Sequence, residues 1–181
     1  MPSEETANPM QLKDHAIIAG FGVPGRAFAE WMTIHKLPYV VIEQNETIVE
    51  RCGRTGTSII AGDIRNEQTL LAAGITRAKL LALTVPIESV VLEATAVARK
   101  LNPTMRIIAR LQYISAGLDA IRRGADEAVV AEELAAREFV RLLDGGRSTI
   151  RSNVDGVHRP VADPQSQSAT PPMPTHQDRQ S

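Results

Sequence analysis

The sequence predicts an α/β domain: a doubly wound, six-stranded parallel sheet (Rossmann fold) in a single lobe, with strand order 3-2-1-4-5-6. Three observations predict it. Between residues 14 and 144, six short apolar runs alternate with six segments of helical periodicity, and parallel strands covered on both faces read as such runs. The first run leads into Gly20, Gly22 and Gly25, spaced G-x-G-x-x-G, and then into a helix. Glu43 closes the second run, at the place where dinucleotide-binding folds put an acid about 20 residues beyond the glycines.

The elements follow in chain order. HAIIAG (15–20) is the first strand. PGRAFAEWMTIHK (24–36) is a helix with Ala27, Trp31 and Ile34 at helical spacing, and Pro24 is tolerated in its first turn. PYVVIEQ (38–44) is the second strand, with proline at its entry. NETIVERCGRTG (45–56) is a short helix capped by Asn45 and ended at Gly53 or Gly56. TSIIAGD (57–63) is the third strand, and NEQTLLAAGI (66–75) is a helix closing on Gly74. AKLLALTV (78–85) is the fourth strand, followed by the amphipathic ESVVLEATAVARKLN (88–102). TMRIIAR (104–110) is the fifth strand, and ISAGLDAIRRGA (114–125) is a helix stopped by Gly124. EAVVAE (127–132) is the sixth strand and EELAAREFVRLLD (132–144) the last helix. Residues 1–13 read as a disordered lead. Residues 145–181 contain no Leu, Phe, Tyr or Trp and read as a disordered tail, unable to bury enough surface to offset ordering entropy.

The glycines carry the chemistry. Gly20 permits the tight turn, Gly22 lets a pyrophosphate approach the backbone, and Gly25 lets helix and strand pack closely. The helix N-terminus then offers free N–H groups to phosphate. Glu43 is placed to accept from ribose hydroxyls, the alternative being a solvated strand end. Gln44 and Asn45 follow it with no arginine to welcome a 2′-phosphate, so NADP is disfavoured. Asp63 ends the third strand, where a carboxylate can receive an adenine amino group or merely cap a loop. Thr84 and Val85 end the fourth strand beside the same crevice, and Pro86 and Ile87 are placed to close it.

These residues resemble the nucleotide-binding lobe of the RCK/KTN family (TrkA N-terminal-like), the regulators of potassium conductance and transport. The likeness is strongest to the cytoplasmic domain of Kef-type cation:proton antiporters. It rests on HAIIAGFGVPGRAF, PYVVIEQN, GTSIIAGDIRNEQTLLAAGITRAKLLALT, AVARKLNP, RIIAR and RRGADEAVVAEELAAREF. It implies a regulatory nucleotide-binding domain over 14–144 that binds NAD or AMP and acts on a membrane cation transporter or channel subunit in trans. The candidate binding set is Gly20, Gly22, Val23, Pro24, Gly25, Glu43, Gln44, Asp63, Ile64, Thr84 and Arg110. The resemblance places Arg110 near the phosphates or at a subunit interface; a strand-end salt bridge is the plainer reading. Many relatives carry arginine directly after the second glycine, where Val23 and Pro24 stand here, and Arg26 is displaced. That departure disfavours ATP. The polar run 145–181 is not expected to form the second lobe of many relatives. The family's last helix commonly crosses to a neighbouring subunit, which implies a homodimer or higher assembly through Phe139 and Leu142.

Composition excludes other classes. With 20 basic and 21 acidic residues and 3% aromatics, the chain has neither the field nor the stacking surface for nucleic acid. One cysteine, Cys52, allows no internal disulfide, and no apolar run is long enough to span a bilayer. The chain is read as cytoplasmic, peripheral at the inner membrane face. The rival readings are a small NAD-dependent oxidoreductase and a stand-alone nucleotide-binding protein. A dehydrogenase of this size often sets Tyr and Lys four apart, but Glu43 follows Tyr39 and Gly117 follows Tyr113 at that spacing. No acid/base pair or substrate domain is evident, so no enzyme is expected. No Cys/His spacing suggests a metal; Glu132 and Glu133 are read as first-turn acids of a helix, the alternative that the resemblance implies being a divalent-cation site.

Overall fold

The computed structural model describes residues 12–145. The disordered lead and tail expected from the sequence lie outside the described residues, apart from their inner ends. Six strands form one parallel sheet in the order β3-β2-β1-β4-β5-β6. They are β1 (Ala16–Ala19), β2 (Tyr39–Glu43), β3 (Ile59–Ala61), β4 (Leu80–Leu83), β5 (Arg106–Leu111) and β6 (Glu127–Val130). Between and after them run α1 (Val23–Ile34), α2 (Glu46–Arg54), α3 (Glu67–Ala72), α4 (Glu88–Leu101), α5 (Ile114–Arg122) and α6 (Ala131–Leu143). A 3₁₀ turn, Ile75–Arg77, adds to the elements the sequence predicts; it begins at Gly74, whose φ of +74° suits glycine. The order reverses between β1 and β4, and the crevice beyond their C-terminal ends is where such sheets bind ligands.

The sheet divides its apolar residues between two faces because strand side chains alternate. Ile17, Leu81 and Ile107 are in register across three strands and lie in the core that includes Leu70, Val91, Ala94, Ala98 and Ala120 of α3, α4 and α5. On the opposite face Ile18 and Val41 pack against Ala29 of α1, with Phe28 and Tyr39 at the margin.

The buried face of α1 is not the one its apolar spacing suggested. Gly25, Ala29 and Met32 are buried, while Trp31 is 52% and Ile34 69% exposed, and Ala27 is also exposed. The reason is at the helix start. Gly25 abuts the first strand's end, and that contact fixes the rotation of the whole helix, leaving the larger residues outward. Trp31 stacks instead on His35, with ring centroids 3.9 Å apart.

The strands' N-terminal edge is held by polar keystones. Asn102, buried, donates to the carbonyls of Ile75 (2.7 Å) and Ala78 (3.1 Å) and accepts from the backbone N–H of Thr104 and Met105. Arg99 donates twice to the carbonyl of Gly124 (2.9 and 2.7 Å), to those of Pro103 (2.8 Å) and Met105 (2.6 Å), and to Asp126 (2.7 Å). The stretches ARKLN and GAD are therefore structural, far from the crevice.

His15 is also buried there. Its Nε2 donates to the carbonyl of Ala73 at 2.8 Å, which leaves Nδ1 bare and without a hydrogen-bond partner. Burial, helped by the charge of Arg77, pushes the imidazole below its usual pKa of 6.5, against the opposing pull of the Ala73 bond and Asp14. The unfolded chain therefore takes up a proton near pH 6.5 that the folded chain refuses. Stability is expected to fall on acidification below that value, by up to about 1.4 kcal/mol per pH unit, until the folded imidazole also titrates. Urea midpoints between pH 7.5 and 5 check this: His15→Leu should remove that part of the slope.

Candidate functional site

The three glycines of the loop after β1 are required for different reasons. Gly20 has φ +90°, and a Cβ there would lie 2.8 Å from the Val85 side chain. A Cβ on Gly25 would lie 2.0 Å from the carbonyl oxygen of Gly20 and 3.0 Å from the Thr84 hydroxyl. Both glycines are dictated by the fold. Gly22 is not: its φ of −69° and ψ of −164° are open to any residue, and a Cβ would meet nothing nearer than Pro24 Cδ at 4.0 Å. The space before Gly22 is kept clear of protein. Thr84 lies behind the loop, its hydroxyl donating to the carbonyls of Ala19 and Gly20, both at 2.8 Å.

The helix that follows opens its N-terminus at the same place. Gly22 is its N-cap, and Val23 and Pro24 begin it. Pro24 carries no N–H, and the N–H of Phe21 is taken by Glu43 at 2.7 Å. The N–H groups of Gly22, Val23 and Gly25 make no hydrogen bond among the described residues. Val23 is 74% exposed. Arg26 folds back, its Nη1 donating to the carbonyl of Phe21 at 3.2 Å.

Glu43 ends β2 facing the loop. Its Oε2 accepts from Phe21, and its Oε1 accepts from the N–H of Gln44 (2.8 Å) and Asn45 (2.9 Å). Three backbone donors thus fix the carboxylate, with lone-pair capacity left over. Asp63 follows β3, and its two oxygens engage the Arg65 guanidinium. Gly20, Glu43, Gln44, Asp63 and Ile64 line one crevice with Val85, Pro86 and Ile87. The structure thus gathers five of the expected residues and both proposed closing residues. Ile64 lines the crevice although it is almost wholly buried. Three lining residues were missed: Ile42, Gly62 and Val90. Ile42 and Val90 read as ordinary core, while Gly62 carried a glycine signal beside Asp63.

Gly22, Val23, Pro24, Gly25 and Thr84 frame the loop without lining that crevice. Arg110 lies on β5, in register with Val129 of β6, and makes no hydrogen bond or ion pair among the described residues. Ile108 and Leu80, on the same face of the sheet, are half-buried, and Val129 is 40% exposed. This half of the sheet, on the α1 side, carries no covering helix among the described residues. Nor does α6 bury any residue: Phe139 is 69% and Leu143 86% exposed. Among the described residues no group of three or more His, Cys, Asp or Glu could hold a metal. No helix there is long and apolar enough to cross a membrane. Cys52 is buried on α2.

Known proteins share this arrangement. A family model described as the TrkA-N domain matches residues 16–131. The chain is 33% identical over 141 residues to YbaL of Escherichia coli K12, a protein provisionally named a cation/proton antiporter; the match covers 78% of this chain and 25% of that one. The crystal structure of the YbaL TrkA-N domain superposes with a TM-score of 0.71 at 33% identity, covering 74% of this chain and 98% of that domain. Potassium channel protein 1 of Methanocaldococcus jannaschii is 31% identical over 134 residues, 73% of this chain and 40% of that one. GsuK solved with ADP gives a TM-score of 0.65 at 28% identity, covering 76% and 36%. The chain therefore spans a quarter to two fifths of the length of these curated relatives.

Proposed function

The chain belongs to the TrkA-N family, and from that premise we propose that it is a nucleotide-sensing regulatory domain, taking NAD or AMP and controlling a potassium or cation:proton transport system. The observation that carries the reading is Gly22. Its backbone is unstrained and its Cβ direction is empty, so nothing in the fold asks for glycine, whereas a phosphate approaching the open helix N-terminus does. Glu43 supports a ribose with both hydroxyls free, because a carboxylate there repels a 2′-phosphate. Pro24 removes one N–H, and no arginine stands beside Gly22, so a terminal phosphate chain finds few partners and ATP is disfavoured. The ADP held by the GsuK structure supports an adenine nucleotide in this kind of lobe.

The partner is proposed to be a membrane cation antiporter or channel, following the names of the relatives; the domain then works at the cytoplasmic face. We infer no enzymatic turnover, since the crevice presents carboxylates and backbone but no acid/base pair aimed at a second substrate. The apolar side of α6, with Phe139 and Leu142, suits a second copy of the chain. Light scattering at tens of micromolar should return a dimer, and a monomer with and without NAD would contradict it.

Titration calorimetry against NAD, NADP, AMP and ATP tests the main reading. NAD or AMP should bind, with NADP at least about tenfold weaker than NAD, the equivalent of ~1.4 kcal/mol. Tighter binding of NADP would remove the role given to Glu43, and binding of none of the four would remove the reading.

A further inference from the structure

We propose that Arg65 is a positioning residue that makes the crevice select a 6-amino purine over a 6-oxo purine, by holding Asp63 as a hydrogen-bond acceptor beside a free backbone donor. The proposal deepens the nucleotide reading above and rests on it.

The geometry is a clamp applied from outside the crevice. Asp63 lines the opening and Arg65 does not. The Arg65 guanidinium meets both carboxylate oxygens, with Nη2 2.7 Å from Oδ2 and Nε 3.1 and 3.2 Å from Oδ1 and Oδ2. The backbone N–H of Arg65 donates to Oδ1 at 2.8 Å. The guanidinium also reaches Glu93 of α4, its Nη1 3.5 Å from the carboxylate. A planar fork with five donors fixes both the position and the plane of a carboxylate, which a point charge does not.

Two consequences follow for a base entering the crevice. First, Asp63 stays ionised: the hydrogen bonds from Arg65 hold its carboxyl below the usual carboxylate range, so it can accept but not donate. Second, the backbone N–H of Ile64, the next residue, makes no hydrogen bond among the described residues and supplies a donor beside that acceptor. Adenine presents an amino donor at C6 next to the N1 acceptor, the complementary pattern. Hypoxanthine presents an oxygen acceptor at C6 next to an N1–H donor, which mismatches both groups. The other charged residue lining the crevice, Glu43, is acidic, as is Glu93 beside the guanidinium, so Arg65 is the group that holds the orientation of Asp63.

The test compares AMP with IMP by calorimetry on the full chain, for the wild type and for Arg65→Gln, Arg65→Lys and Asp63→Asn, with melting temperatures recorded alongside. The wild type should prefer AMP by about tenfold or more, the scale of one hydrogen bond to a charged group. Arg65→Gln should lose most of that preference by weakening AMP while leaving IMP and the melting temperature unmoved. Arg65→Lys should restore part of it, and Asp63→Asn should lose it as well. A general loosening of the loop would weaken both nucleotides together and leave the ratio intact. An AMP:IMP ratio unchanged in Arg65→Gln, or absent in the wild type, overturns the proposal while the nucleotide reading stands. Failure of the wild type to bind either nucleotide overturns both.

Discussion

Gly25→Ala is expected to destabilise the domain by at least about 4 kcal/mol, a large part of the ~5–15 kcal/mol that holds a domain folded. The added Cβ would sit 2.0 Å from the carbonyl oxygen of Gly20 and 3.0 Å from the Thr84 hydroxyl. Neither neighbour can yield cheaply. The Gly20 carbonyl belongs to a turn with φ +90°, and Thr84 is bonded to that carbonyl and to Ala19. Relief would require α1 to back away from β1, opening the small apolar cluster of Ile18, Ala29 and Val41. Chemical denaturation of the purified variant gives the number. A loss under 1 kcal/mol would mean that the helix does not pack as closely as described.

Arg99→Ala is expected to cost about 2–4 kcal/mol through a different mechanism. The change deletes five short hydrogen bonds from one half-buried side chain. Its acceptors include the carbonyls that close the turn after α5 and the entry to β5, and water can reach only some of them. Each acceptor left without a partner costs about 1–3 kcal/mol where it stays dry. Arg99→Lys should recover little, since an ammonium cannot bridge the Gly124 carbonyl and Asp126 with a fixed fork. Nucleotide affinity, measured at a temperature where the variant is still folded, should be unchanged, because this cluster lies at the sheet edge opposite the crevice.

The strand order and the alternation were legible because parallel strands buried on both faces leave apolar runs in the sequence, and the glycines placed the first of them. Glu43 and Asp63 were legible for a similar reason: acids ending apolar runs stand at the sheet's C-terminal edge. The rotation of α1 was not. Its pattern offered Trp31 and Ile34 as a core stripe, but a local contact at Gly25 outranked hydrophobicity. Arg99 and Asn102 belonged to motifs read as family signatures, and only the fold shows what they hold. His15 could not be recognised as buried, since a histidine opening a strand looks like any polar boundary residue. Arg65 gave no signal at all: its importance comes from Asp63 two residues away and Glu93 on another element.

The central claim is that the clear space at Gly22, between the open N-terminus of α1 and Glu43, is a nucleotide site. The most direct measurement is the change in backbone amide NMR shifts as NAD or AMP is added to the ¹⁵N-labelled chain, repeated on Gly22→Val. The account predicts the largest shifts at Gly22, Val23, Gly25 and Ile64, and none in Gly22→Val, whose melting temperature should stay close to the wild type's because a Cβ at this position meets no protein atom nearer than 4.0 Å. Shifts centred elsewhere, or an undiminished response in Gly22→Val, would contradict it.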